Sequence, residues 1–135
     1  MGSSALDSRA RVFYPLDMNP SPAPTPQSPI VVLMTFSSFE EASRIATALV
    51  EERLVACVNL VPAVRSFFIW GNALQDAQEI LGVAKTTLSQ LDAVVARVKS
   101  LHSYSVPEVI GLPILGGAED YLKWVLGEVS DKRLI

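Results

Sequence analysis

Two of the side chains best suited to metal chemistry are almost missing from this sequence. Its 135 residues contain one histidine, His102, and one cysteine, Cys57. A lone cysteine excludes an internal disulfide, so packing must hold the fold. There is no C-x-x-C and no H-x-x-x-H, so any metal site must be assembled in space. Basic excess is also lacking. Eleven Lys and Arg against 14 Asp and Glu leave a net charge of -3, which removes the electrostatic case for nucleic acid. No apolar run approaches the roughly 20 residues of a membrane helix. The arginines near the N-terminus are not followed by the apolar stretch of a secretory leader. G-x-S-x-G, P-loop and G-x-G-x-x-G patterns are absent. These absences set the expectation of a cytoplasmic protein with no membrane or nucleic-acid partner.

What is there is globular. Half the residues are hydrophobic and 19% are charged, enough for one domain with a core. Residues 1–29 differ, because "NPSPAPTPQSP" is rich in proline, which removes backbone donors and favours extended chain. A flexible tail is expected over 1–29 and a single domain over 30–135.

From Ile30 the pattern sharpens. "IVVLMTF" is a continuous β-branched apolar run, as in a strand covered on both faces. Ser38 and Glu41 have capping-box spacing, and Ala42, Ile45, Ala46 and Leu49 follow at helical period. "LVACVNLVPAVRSFFIW" reads as a long second strand whose Pro62 demands a bend, bulge or edge. Gly71-Asn72 supplies turn chemistry. "QEILGVAKT" then returns antiparallel. Leu91, Val94, Val95, Val98 and Leu101 mark a second long helix. "EVIGLPI" is a fourth strand, and "GGAEDYLKWVLGEV" a short last helix. This βαββαβ order predicts an α+β, ferredoxin-like split βαβ sandwich with both long helices on one face. The other face would stay apolar, beyond what a soluble monomer tolerates, so a small closed ring of copies is expected.

Candidate chemistry is sparse. Cys57, mid-strand among valines, is either a small buried hydrophobe or a soft ligand. His102 either satisfies the end of a helix or serves as a loop ligand. Lys85 ends its strand as a snorkelling cation or one aimed at an anion. Trp70 lies with Phe67 and Phe68, a density typical of core or interface. Glu79 and Glu108 are isolated acids. His102 with Glu108 could move a proton, but no nucleophile or oxyanion hole accompanies them, so a binding protein is expected rather than an enzyme.

Five stretches then carry a resemblance: "EERLVACVNLVP", "SFFIW", "EILGVAKT", "LHSYSVPEVIGLPI" and "DYLKWV", all in order. Over Ile30 to Val129 the chain resembles the CutA divalent-cation-tolerance family. The resemblance implies a ferredoxin-like subunit in a homotrimer, built like the nitrogen-regulatory signalling trimers. It also implies a response to copper or another divalent cation, held weakly and with no organic cofactor. The family's shared polar cluster falls on Cys57, Trp70, Glu79, Lys85, His102, Tyr104 and Glu108, around a cleft between subunits. His102 and Cys57 are the implied metal ligands; Trp70, Glu79, Lys85, Tyr104 and Glu108 line the cleft. Two positions depart from the family: Gly71 stands for an acid and Ser103 for a proline. The competing reading is a PII-like sensor, with Lys85, Trp70 and Tyr104 holding a small anionic metabolite and no physiological metal.

Overall fold

Alternating burial along the first strand decides the architecture. The computed structural model describes residues 23–129. Strand β1 (Pro29–Phe36) buries Ile30, Val32, Met34 and Phe36 completely or nearly so, while Val31, Leu33 and Thr35 stay half-exposed. Helix α1 (Phe39–Glu51) lays Ala42, Ile45 and Leu49 on the buried side, and helix α2 (Leu91–Leu101) adds Val94 and Val98. Each large apolar side chain so enclosed contributes about 1.5–3 kcal/mol. The stripes are those the 3.6-residue period predicts.

Strands β2 (Cys57–Trp70), β3 (Ala73–Thr87) and β4 (Val109–Pro113) complete one antiparallel sheet in the order β2-β3-β1-β4. A short 3-10 turn (Leu88–Gln90) leads into α2, and helix α3 (Glu119–Glu128) ends the described chain. Leu122, Val125 and Val129 are buried in this last segment, and Val125 and Val129 cluster with Ala56 at one end of the sheet. The 29/30 boundary read from composition falls inside docked chain. The backbone of Pro26 and Ser28 accepts hydrogen bonds from Ser89 and Leu88, so the domain begins earlier than its apolar run. The rest of that tail, residues 1–22, lies outside the described residues.

Side chains opposite the helices form a second apolar surface. Val31 and Leu33 pair with Leu112 and Ile110 on one side and with Lys85 and Val83 on the other. Leu112 and Ile110 are 44% and 48% exposed, and Val61 on the edge strand is 44% exposed. Beyond Ile80, β3 has no partner but β2, so Val64–Trp70 and Ala73–Glu79 form a two-stranded arm. Phe67, Ile69, Trp70 and Leu74 along it are 59–69% exposed. Such a ribbon is marginal alone in water.

The arm turns through Gly71 and Asn72, both at positive φ, as a two-residue hairpin of the favoured hand requires. Its base is a bulge between Val61 and Val64, where Pro62 interrupts the ladder and Ala63 takes φ 61°. A left-handed alanine costs roughly 1–2 kcal/mol, partly offset by the extra unfolded-state entropy of glycine. Ala63→Gly should therefore raise the melting temperature by a few degrees in calorimetry. A lower melting temperature would show that the alanine side chain packs usefully.

Candidate functional site

The longest loop between elements among the described residues, from the end of α2 to β4, builds one wall of the site. His102 caps α2 with its N–H on the Val98 carbonyl, then turns out of the helix in extended conformation. Its side chain is fully buried. The ring stacks on Phe36 at 5.4 Å and lies 4.7 Å from the Tyr104 ring. Nε2–H donates to the Thr35 carbonyl at 2.8 Å, and Nδ1 accepts the Tyr104 N–H at 3.0 Å. Those partners define the neutral tautomer protonated on Nε2. Both ring nitrogens are spent on the backbone, so neither offers a lone pair to an ion in this arrangement.

Behind the loop stands Glu41, 5% exposed. One carboxylate oxygen accepts the Ser103 N–H at 2.7 Å; the other accepts the Ser37 hydroxyl at 3.2 Å and the Ser37 N–H at 3.4 Å. Burial pushes its pKa up, but the hydrogen bonds from Ser103 and Ser37 outweigh it and hold the carboxyl below its ordinary value.

In front of the loop is a cavity of about 620 Å³. Thr35, Ser66, Trp70, Glu79, Tyr104 and Glu108 line it, with Ser105 and Val106 from the same loop and Phe67 and Phe68 from the arm. Glu79 is 5% exposed, and the Tyr104 hydroxyl donates to its Oε2 at 2.7 Å. Burial first, and then this carboxylate, push the Tyr104 phenol up to about 12. Among the described residues Glu79 Oε1 takes no hydrogen bond, yet no fully buried side-chain oxygen lacks a partner, so Oε1 keeps some exposure. Among the described residues the lining holds two carboxylates and several hydroxyls beside Phe67, Phe68, Trp70 and Val106, and no lysine, arginine or histidine. It suits a cation that favours oxygen donors.

Four of the seven residues singled out from sequence therefore meet: Trp70, Glu79, Tyr104 and Glu108. His102 stands behind the wall as its support. Cys57 and Lys85 are elsewhere, directly opposite one another at the far end of β2 and β3. Lys85 lies six positions from Glu79 along β3, roughly 20 Å at the strand rise, and its ammonium donates to Asn59. Cys57 Sγ lies 3.4 Å from the Tyr121 hydroxyl. That contact first, then burial, push the Tyr121 phenol up to about 12. Cys57 and His102 cannot share an ion within one chain. Thr35, whose carbonyl holds His102, is in register with Leu81, four positions and about 13 Å from the Cys57 partner Lys85. Among the described residues no three His, Cys, Asp or Glu side chains converge on a point. Sequence reasoning missed Thr35, Ser66 and Ser105, whose types carry no signal, and saw Glu41 only as a helix cap.

The model of the CutA1 divalent ion tolerance protein family matches residues 30–128. The divalent-cation tolerance protein CutA of Thermus thermophilus is 48% identical over 95 residues, 70% of this chain and 92% of that protein. The chloroplastic protein CutA 1 of Oryza sativa is 46% identical over 97 residues, 71% of this chain but 54% of that longer protein. A solved structure of the Thermus thermophilus protein superposes with a TM-score of 0.74 at 45% identity, covering 76% of this chain and 99% of that one. A structure titled periplasmic, from Archaeoglobus fulgidus, gives 0.73 at 36% identity, covering 76% and 99%. Relatives thus carry the names of more than one compartment.

Proposed function

The chain belongs to the CutA1 divalent ion tolerance family, and from that premise we propose that it is a non-enzymatic, homotrimeric protein of the metal-ion response, binding a divalent cation in the cavity of Glu79 and Glu108. The observation that carries this reading is a cavity whose charged groups are both carboxylates, Glu79 and Glu108, with hydroxyls beside them and Glu79 nearly buried. A nearly buried carboxylate gains from a cation set beside it. The strand order β2-β3-β1-β4 supports a ferredoxin-like subunit. The uncovered apolar face and the two-stranded arm support three copies closing on one another, which would complete the cavity at a seam. Oxygen donors favour ions such as Mn²⁺ or Mg²⁺; Cu²⁺ competes through its place at the top of the affinity order.

The acidic lining speaks against an anionic metabolite, and within one chain Lys85 is too distant to reverse that sign. Calorimetric titration with Mn²⁺ and with Cu²⁺ tests the reading. Glu79→Gln should weaken binding at least about tenfold, since even outer partners of a metal site cost that much. Cys57→Ser should leave the affinity as it is. The opposite pattern, loss with Cys57→Ser and none with Glu79→Gln, would move the site to the other end of the sheet.

A further inference from the structure

Glu41 does not make the contact its spacing calls for. Ser38 and Glu41 are placed for a reciprocal cap, and half of it forms: the Glu41 N–H donates to Ser38 Oγ at 3.1 Å. In the other half the carboxylate should fold back on the Ser38 N–H. Instead it reaches across 62 residues to the Ser103 N–H at 2.7 Å, with Ser37 holding its second oxygen. A charge-assisted bond inside the protein is among the stronger contacts available, and this one falls on an otherwise irregular loop. His102 adds the second anchor through Thr35 and Tyr104. Tyr104 then carries the position forward to Glu79.

We propose that Glu41 is a positioning residue for the cavity: by gripping Ser103 it sets where Tyr104 and Glu108 stand, and so sets the cation affinity without touching the ion. The proposal rests on the cation reading of the cavity. The loop wall has no strand pairing of its own between Leu101 and Val109, so its place depends on anchors from α1, β1 and β3: the Glu41 carboxylate, the Thr35 carbonyl and the Glu79 carboxylate. Glu41 is the ionised member of that set aimed at the backbone. Its grip also ties the start of α1 to the ligand cavity across the sheet end.

Glu41→Gln separates the clamp from the site. The amide keeps the size but loses the charge and one acceptor, so it cannot serve Ser37 and Ser103 equally. Amide hydrogen exchange followed by NMR should show Ser103 and Tyr104 exchanging at least about tenfold faster, with Val32 and Ala84 in the core unchanged. Mn²⁺ titration of the same variant should show a dissociation constant raised about tenfold. Glu41→Asp keeps a charge in the first helical turn but falls a methylene short of Ser103, and should behave like Glu41→Gln. Unchanged exchange at Ser103 and Tyr104 would overturn the proposal, as would faster exchange with unaltered Mn²⁺ affinity. Full rescue by Glu41→Asp would also overturn it, leaving only a helix-end charge effect. If the unsubstituted protein takes no Mn²⁺, the cation reading fails and the exchange rates alone decide the clamp.

Discussion

Leu112→Asp is expected to leave the protein as single copies in solution. Leu112, on the edge strand β4, pairs with Val31 on the face opposite the helices, near Leu33 and Ile110. It is 44% exposed in one chain, an unusual place for leucine unless something covers it. In the proposed ring every copy buries this face, so one substitution places a carboxylate in each seam. Burying an unpaired charge costs several kcal/mol per site, more than a seam of ordinary size can absorb. Light scattering should fall from three times the 14.6 kDa chain mass to one. The helix-side core should survive, because Leu112 has no part in it. A variant that keeps the parent mass would show that this face is not the seam.

Gly82→Ala should cost about 1–3 kcal/mol, the usual penalty of overpacking a tight core. A Cβ at Gly82 would stand 2.9 Å from Phe36 Cε2 and 3.3 Å from Met34 Cε. Both neighbours are fully buried, so neither can swing aside into solvent. Phe36 has His102 stacked on its ring, and His102 holds Tyr104 through Nδ1. The added methyl therefore pushes on the wall of the cavity as well as the core. Thermal unfolding should show a clear drop in melting temperature, with Mn²⁺ affinity reduced beyond what the fold loss explains. An unchanged melting temperature would mean that Phe36 has room the packing does not reveal.

Much of the fold was legible in the sequence because its signals are local. The run "IVVLMTF" marked β1, Pro62 marked the bulge, and Gly71-Asn72 marked the turn, each through a backbone preference that neighbours do not override. Part of the site was legible too. Trp70, Glu79, Tyr104 and Glu108 were grouped by resemblance, and they meet in one cavity. His102 and Cys57 behave differently. A histidine in a loop has the same local sequence whether its ring points to solvent or is pinned between Phe36 and Tyr104. Lys85 shares β3 with Glu79 and Cys57 lies on its partner β2, and strand register, which depends on pairing, puts both at the far end. Glu41 carried a correct local signal, the cap, and a second task visible only when Ser103 arrives from 62 residues away.

Anomalous diffraction from crystals soaked in Mn²⁺ bears most directly on the cation cavity. The account places an ion against Glu79 Oε1, with Glu108 on the other side and His102 still bonded to Thr35. An ion on Cys57, an ion that pulls His102 off Thr35, or an empty cavity at saturating Mn²⁺ would contradict it.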